Sequence, residues 1–257
     1  MPYVVICAVA LLVSGLTLFS GFGLGTLLLP AFALFFPLDI AVAMTAVVHL
    51  ANNLFKFVLL GRHADRSVVL RFGLPAILAA FIGAGLLIRL ADMQPWFTYQ
   101  LMERQFQVMP VKLTIAILMV VFALFDLVPR FTDMAFDRRY LALGGLLSGF
   151  FGGLSGHQGA LRSAFLVKSG LTKEAFVATG VVIACMVDVI RLFVYSNRFS
   201  VAHAGEDIYL LLAATLAAFV GAFVGSRLIK KLTMRGIQIL VAIMLIGVAI
   251  GLGTGVI

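Results

Sequence analysis

Residues 20–25, Ser20-Gly21-Phe22-Gly23-Leu24-Gly25, interrupt an apolar run from 3 to 36 that contains no charged side chain. As one helix rising 1.5 Å per residue, this run would measure about 50 Å, whereas the hydrocarbon core of a bilayer is about 30 Å thick. Alternating glycines disfavour a continuous helix, so the run is expected to bend here. The sequence therefore predicts a broken helical hairpin rather than a single span.

The composition places the rest of the chain in a membrane as well. Hydrophobic residues make up 63% of the 257 residues, charged residues make up 12%, and the mean hydropathy is +1.15. Because polar side chains are too few to cover a water-soluble surface of this size, soluble enzymes are excluded. The net charge of +8 comes mostly from residues between apolar runs, so it indicates topology and no nucleic-acid partner is predicted. Cys7 and Cys185 lie inside apolar runs, and no disulfide, metal site or cofactor is predicted.

The apolar segments form a pattern that occurs twice. The first half is assigned to 1–129, with a hairpin at 3–36 and spans at 39–61, 68–90 and 111–128. The second half is assigned to 130–257, with a hairpin at 140–170 and spans at 174–196, 207–229 and 236–256. The connection from Asp92 to Pro110 contains aromatic residues and is expected to lie along the lipid headgroups.

Specific residues coincide when the first half is laid on the second. A shift of 135 places Gly21 on Gly156, Asp39 on Glu174, Asn53 on Asp188 and Lys56 on Arg191. A shift of 138 places Gly83 on Gly221 and Arg89 on Arg227. These coincidences predict an internal repeat, an organisation typical of secondary transporters.

The distribution of Lys and Arg predicts how the two halves are oriented. If each broken run returns to its starting side, most flanking cations fall on one face, and only Arg89, Arg104, Lys112 and Arg198 remain on the other. If each broken run were instead a single kinked span, the charges would be divided about evenly between the two faces of the membrane. The positive-inside rule favours the hairpins, which make the halves inverted and put both termini outside. The predicted fold is an all-α polytopic membrane protein built from two inverted repeats.

The two glycine bends are the first candidate site, because freed backbone groups must be buried in protein or line a wet cavity. Helix N-termini at such bends offer N–H groups and a positive dipole end, which suit an anion. Close helix packing by small residues is the alternative explanation. The residues predicted to bind substrate at the bends are Ser20, Gly21, Gly23 and Gly25 in the first half and Ser155, Gly156, His157 and Gln158 in the second.

Lys56 and Arg191 are the second candidate feature, since each would cost about 3 kcal/mol or more at a lipid-facing helix centre. Asn53 and Asp188 lie three residues before them, on the same helix faces, and are expected to orient them. The sum of Lys56, Arg191 and Asp188 is one positive charge, which an anion would neutralise. The alternative is that Asp188 and Arg191 satisfy one another while Lys56 reaches the headgroups. Proton coupling would run through His157 or Asp188.

Two further residues at membrane depth allow two interpretations each. His49 either lines the pathway or bridges helices through a buried imidazole, and Arg162 either adds positive charge or points to the cytoplasmic surface. The chain contains no phosphate-binding loop, no His-Glu-x-x-His and no Gly-x-Ser-x-Gly motif. A membrane enzyme acting on a lipid would instead need His49, His157 and Asp188 to converge on one point.

The motif Gly21-Phe22-Gly23-Leu24-Gly25, followed by Pro30, 41–45 and 61–65, resembles the sulfite exporter TauE/SafE family. The second half, from Gly149 through Ser155-Gly156 to Glu174 and Thr179, is similar to that family's second glycine-rich repeat. The likeness covers nearly the whole length. It implies a secondary carrier of sulfur-containing anions and related small organic acids in the bacterial cytoplasmic membrane, working without ATP.

The chain departs from the family's triple-glycine run at both bends. Gly23-Leu24-Gly25 stands at the first, and Gln158-Gly159-Ala160 stands behind His157 at the second. We therefore expect a transporter of a small anion, sulfite or an organosulfonate, that exports it by alternating access. Uptake of an organic acid or another sulfur oxyanion and a lipid-modifying enzyme are the alternatives. A homodimer is left open.

Overall fold

The computed structural model describes residues 1–16, 24–128, 134–196, 201–228 and 234–257. The described chain is helical apart from one two-stranded hairpin. The α-helices are α1 (Pro2–Leu16), α2 (Leu24–Ala33), α3 (Leu38–Leu60), α4 (Arg66–Ala91), α5 (Pro110–Leu127), α6 (Leu141–Ser155), α7 (Gly159–Leu166), α8 (Lys173–Tyr195), α9 (Val201–Leu228) and α10 (Met234–Thr254). Short 3-10 turns at Gly61–His63 and Arg138–Tyr140 precede α4 and α6.

Three helices of the described chain are long and apolar enough to cross a membrane: Leu38–His63, Arg66–Ala91 and Lys173–Tyr195. They coincide with the predicted spans at 39–61, 68–90 and 174–196. Shorter apolar stretches of 10–17 residues lie in α1, α2, α5, α9 and α10. Two of these spans begin at a side-chain N-cap. The side chain of Asp65 accepts a hydrogen bond from Val68 N at the start of α4, and that of Thr172 accepts one from Ala175 N at the start of α8.

The second glycine-rich run is broken, as its glycines predict, and forms α6 and α7, which contact each other. The first run contains α1 and α2, which also contact each other. Helix α6 ends at Gly156, whose φ of +80° is left-handed and favours glycine, and whose N–H donates to Gly152 O. Ser20, Gly21 and Gly23 lie outside the described residues.

Helices α4 and α6 pack backbone against backbone through small residues spaced four apart. A Cβ at Gly149 would overlap the carbonyl of Ala76 on α4, and a Cβ at Gly83 would overlap the carbonyl of Phe150 on α6. Glycine is needed here because any side chain would push the two helices apart. The same relation holds for Gly145 with Phe72 and for Gly153 with Ala80.

The connection after α4 contains secondary structure that the sequence did not predict. Strands β1 (Phe97–Leu101) and β2 (Arg104–Val108) pair antiparallel around Met102 and Glu103, both of which have positive φ. Tyr99 stacks on Phe106, and the Tyr99 hydroxyl donates to Thr254 O at 2.7 Å. The hairpin therefore contacts the end of α10. The β-propensity of Phe97-Thr98-Tyr99 favours a strand, and the prediction from interfacial aromatics did not take it into account.

Candidate functional site

Asp188, on α8, is the centre of a buried hydrogen-bond cluster. Its Oδ1 accepts from Gln158 Nε2 at 3.2 Å and from Arg191 Nε at 3.0 Å, while its Oδ2 lies 2.6 Å from His49 Nδ1. Asp188 and Arg191 are both fully buried. One carboxylate thus joins α8, α3 and the bend between α6 and α7.

His49 reaches Asp188 from α3 and bridges helices, which was one of the two expectations for this residue. With its Nδ1–H donating to Asp188, the ring leaves Nε2 as acceptor for the amide of Asn53, one turn later at 3.3 Å. The spacing of four residues puts His49 and Asn53 on one face of α3. Asn53 therefore holds the imidazole in the orientation that the carboxylate requires.

The bend Gly156-His157-Gln158 lies directly against Arg191. A Cβ at Gly156 would be 2.7 Å from Arg191 Nη1, so only glycine leaves room for the guanidinium in its present position. Gly25, at the start of α2, lies on the other side, where a Cβ would be 3.5 Å from both Gly156 O and His49 Cδ2. The second bend and the residue that follows the first bend consequently meet beside His49 and Arg191.

His157 faces away from the carboxylate. Its Nδ1 lies 3.0 Å from Ser155 Oγ, whose hydroxyl lies 3.1 Å from Phe151 O, and its ring stacks on Phe122 of α5 at 5.2 Å. His49 and Asp188 thus meet, but His157 engages a different set of partners. This is not the convergence of three acid-base groups that a lipid-modifying enzyme would need.

Several buried donors have no hydrogen-bond acceptor among the described residues. Arg191 uses its Nε on Asp188, and its Nη2 lies 2.9 Å from Oδ1 without pointing an N–H at it, so both Nη groups remain without an acceptor. The Nε2 atom of His157 is buried without a partner as well, but it is a donor only when the ring is protonated, because Nδ1–H donates to Ser155 Oγ. Unmet donors of this kind are costly in a dry interior, which makes them candidates for binding an anionic ligand.

Lys56 and Arg162 line a cleft between α3, α7 and α8. Their exposed fractions are 7% and 4%, and Asn53, Ser163 and Gly180 line the same cleft. Arg162 Nη1 also donates to Gln158 Oε1 at 3.3 Å. The alternative in which Lys56 reaches the headgroups is therefore wrong for this conformation, and Arg162 joins the buried charges.

The predicted site residues fall into two connected groups. Gly156, Gln158, Asp188 and Arg191 form one group with Gly25, and Asn53 and Lys56 line the cleft with Arg162. Ser155 and His157 lie on the far side of the bend, facing α5. The sequence interpretation left His49 and Arg162 out of the substrate site, although both are spaced one helical turn from residues that it included, Asn53 and Gln158.

The buried charges do not balance. Lys56, Arg162 and Arg191 are buried cations, and Asp188 is the single buried carboxylate among the side chains that the structure describes. Without Arg162, which has further interactions, Lys56 and Arg191 against Asp188 leave an excess of one positive charge among the described residues. The same described residues contain no group of three or more His, Cys, Asp or Glu side chains able to hold a metal ion.

The comparison with known proteins identifies one family. No curated protein matches the chain. The family described as sulfite exporter TauE/SafE matches residues 6–252 of the 257, which is nearly the whole length. The resemblance first seen in the glycine motifs is thereby confirmed, and with it the identification of a membrane transport protein. The chain belongs to the sulfite exporter TauE/SafE family.

Proposed function

We propose that this protein is a secondary transporter that exports a small sulfur-containing anion, sulfite or an organosulfonate, by alternating access. One observation carries the proposal: the excess of buried positive charge beside the glycine bend at Gly156. Uncompensated buried cations are strongly unfavourable, so a bound anion would stabilise the site. A neutral substrate would leave this charge uncompensated.

The central binding position is proposed at the guanidinium of Arg191. Its two Nη groups can donate together to two oxygens of a sulfite or sulfonate group, a geometry that guanidinium provides and ammonium does not. Gly25 and Gly156 allow the ligand to approach the backbone closely. Gln158 acts through its neighbours, since its amide is already bonded to both Asp188 and Arg162.

Protonated His157 contributes a further donor in this proposal, from the side that faces α5, whereas Nε2 of the neutral ring is an acceptor because Nδ1–H donates to Ser155 Oγ. Its Nε2 has no partner among the described residues, and Ser155 holds the ring through Nδ1. Ser20, Gly21 and Gly23 are proposed as the matching backbone of the first bend.

The helix contacts support a repeat in which the halves exchange partners. Under the proposed equivalence, α1 and α2 correspond to α6 and α7, and α3, α4 and α5 correspond to α8, α9 and α10. Helix α4 packs on α6, and its equivalent α9 packs on α1. Helix α3 packs on α8 and α5 packs on α10, each against its own equivalent. Gly221 of α9 lies against the carbonyl of Leu11 on α1 much as Gly83 of α4 lies against Phe150 on α6.

The His49–Asp188 pair is proposed to couple transport to protons. A carboxylate that bonds to both an imidazole and the substrate-binding Arg191 can change its hold on that arginine when it takes up a proton. His157 was the other candidate, but it contacts neither Asp188 nor His49 in the described structure. A pH gradient should therefore drive the accumulation of sulfite in wild-type proteoliposomes. The Asp188→Asn variant should still exchange sulfite but should no longer accumulate it in response to the gradient.

Counterflow of labelled sulfite in proteoliposomes tests the transport proposal. We expect exchange in the wild-type protein and a rate of sulfite exchange at least tenfold lower in Arg191→Gln. Arg191→Lys keeps the charge but loses the paired donors, so its KM for sulfite should be raised. Arg89→Gln is the matched control, because Arg89 is exposed at the end of α4. Wild-type vesicles without exchange of sulfite or any organosulfonate, or unchanged exchange in Arg191→Gln, would overturn the proposal.

A further inference from the structure

The helix contacts divide most of the described chain into two bodies built from equivalent elements. Helices α1, α2 and α3 pack together with α9 in the first body, and their proposed equivalents α6, α7 and α8 pack together with α4 in the second body. Each body therefore takes its fourth helix from the other half of the chain. Helices α5 and α10 pack mainly on each other.

Close backbone contacts hold each body together, whereas side chains form the contact between the bodies. A Cβ at Gly221 of α9 would overlap Leu11 O of α1, and a Cβ at Gly149 of α6 would overlap Ala76 O of α4. Backbones this close leave the helices no room to shift past one another. The two bodies meet where α3 packs on α8. Helix α3 contains no glycine, and Gly180, the one glycine of α8, has no α3 atom within 4 Å of its would-be Cβ.

The pair of His49 and Asp188 joins the two bodies partway along this contact. Asn53 holds the His49 ring from within α3, while Arg191 and Gln158 hold the Asp188 carboxylate from within the second body. Each partner of the 2.6 Å contact is thus fixed to its own body. A contact anchored in this way on both sides can serve as a pivot between them.

A small crevice lies on either side of this pair along α3. The cleft between α3, α7 and α8, which includes Asn53, lies toward the cytoplasm in the predicted orientation and has about 20 Å³ of room, enough for about one water molecule. An outer crevice of about 10 Å³ lies between α3, α4 and α8. Its lining residues from α3 and α4 are Asp39, Ile40, Ala43, Leu87, Ile88 and Ala91. Neither crevice has room for a sulfite ion in the described conformation.

We propose that the first body rocks against the second about the contact between His49 and Asp188, so that the cleft and the outer crevice open in turn. Along α3, Ala43 lies about 9 Å from His49 on one side and Asn53 about 6 Å on the other. A tilt that separates α3 from the second body at one end therefore presses the two together at the other end. The two crevices would be the entrances that the proposed alternating access requires, and this role in transport rests on that proposed function.

The chain passes from the first body to the second at the turn after α3. The N–H of Asp65 donates to Thr179 Oγ1 on α8, and the Asp65 side chain caps α4, so the far end of the turn is held by the second body. We therefore expect the bending to take place within 60–64, which contains the 3-10 turn Gly61–His63. The equivalent passage after α8 includes 197–200, which lie outside the described residues.

Paired cysteine reporters test the rocking in the detergent-purified full chain, in a background carrying Cys7→Ser and Cys185→Ser. Val181→Cys reports on the cleft and Ala43→Cys on the outer crevice, and the exposed fractions of these positions are 6% and 2%. The rate of labelling by 2-sulfonatoethyl methanethiosulfonate is measured for each. Ala43→Leu should wedge the outer crevice open and lower the labelling rate of Val181→Cys at least threefold. Val181→Phe should wedge the cleft open and lower the labelling rate of Ala43→Cys to a similar extent.

The control variant Val58→Phe adds bulk on the exposed face of α3, where Val58 is 83% exposed, and should leave both labelling rates unchanged. The smaller wedge Ala43→Val should change the rate of Val181→Cys in the same direction, and it takes the place of Ala43→Leu if that variant does not fold. The inference is overturned if a wedge leaves the rate at the other reporter unchanged or raises it, since a general loosening of the fold would raise both.

The labelling is measured without substrate, so the two proposals fail separately. Reciprocal labelling in a protein that does not exchange sulfite would overturn the transport proposal alone. Sulfite exchange without reciprocal labelling would overturn the rocking alone.

Discussion

At the residue scale, the site depends on how one carboxylate is shared. Asp188 binds Gln158, Arg191 and His49 at once, and so only the Nε group of Arg191 is satisfied. If Asp188 served Arg191 alone, a two-pronged contact would occupy Nη2 as well as Nε and leave only Nη1 for a ligand. The competition from Gln158 and His49 is what leaves the Nη groups of Arg191 available.

Gly156 provides a residue-scale prediction with an internal control. Gly156→Ala should destabilise the protein by about 1–2 kcal/mol because its φ is left-handed. It should also abolish sulfite exchange, because the new methyl group displaces the Arg191 guanidinium. Gly170 has a similar φ of +79° but no atom within 4 Å of its would-be Cβ. Gly170→Ala should therefore lose stability through backbone strain alone and retain exchange.

Measuring thermal unfolding and counterflow on both variants separates backbone strain from displacement of the arginine. Equal exchange in the two alanine variants would contradict the placement of Gly156 against a functional Arg191.

The sequence could predict which charged residues are buried, but not how they are paired. Lys56 and Arg191 were predicted from the cost of burying charge in a helix centre, which needs only hydropathy and position. The bond between His49 and Asp188 joins residues 139 positions apart, and no periodicity in the sequence reports it. Arg162 follows Gln158 by one turn, a spacing visible in the sequence, but its depth depends on where α7 begins.

At the element scale, glycines act in two ways that the sequence does not distinguish. Gly156 breaks a helix, whereas Gly145, Gly149 and Gly153 remain inside α6 and let α4 approach it. Close helix packing was the alternative explanation for the glycine-rich runs, and in the second run both explanations hold at different residues. Spacing does not separate them, because the packing glycines recur every four residues and Gly156 likewise follows Gly152 by four.

The packing stripe gives the element-scale prediction. Gly149→Ala should destabilise the protein by about 1–3 kcal/mol, because the new Cβ meets the backbone of Ala76, which no side-chain rotation can relieve. Gly85→Ala on α4 is the control, since no atom lies within 4 Å of its would-be Cβ. It should be neutral or stabilising by up to about 1 kcal/mol, because alanine favours a helix over glycine. Thermal unfolding in detergent measures both, and an unchanged Tm in Gly149→Ala would contradict the close contact between α4 and α6.

At the whole-molecule scale, contacts at the two ends of the bundle agree with the orientation derived from Lys and Arg. At one end, the β-hairpin and the start of α5 contact the C-terminus, through Tyr99 with Thr254 and Lys112 with Ile257. At the other end, Asp65 contacts Thr179 and Phe136 N–H donates to Ala164 O. The predicted orientation assigns these two sets to the outside and the cytoplasm, respectively. Which end faces the cytoplasm stays a prediction of the bias in short loops, and the count of charges could not predict the hairpin.

Thiol labelling tests that orientation directly. In a background carrying Cys7→Ser and Cys185→Ser, Met102→Cys lies at the hairpin tip, where Met102 is 90% exposed, and Ser67→Cys lies at the exposed start of α4. A membrane-impermeant maleimide applied to intact bacterial cells should label Met102→Cys at once and label Ser67→Cys only after permeabilisation. Because α4 alone separates the two positions, labelling of both in intact cells would mean that α4 does not cross the membrane. The reverse pattern would turn the molecule over and place the Lys56 and Arg162 cleft on the outside.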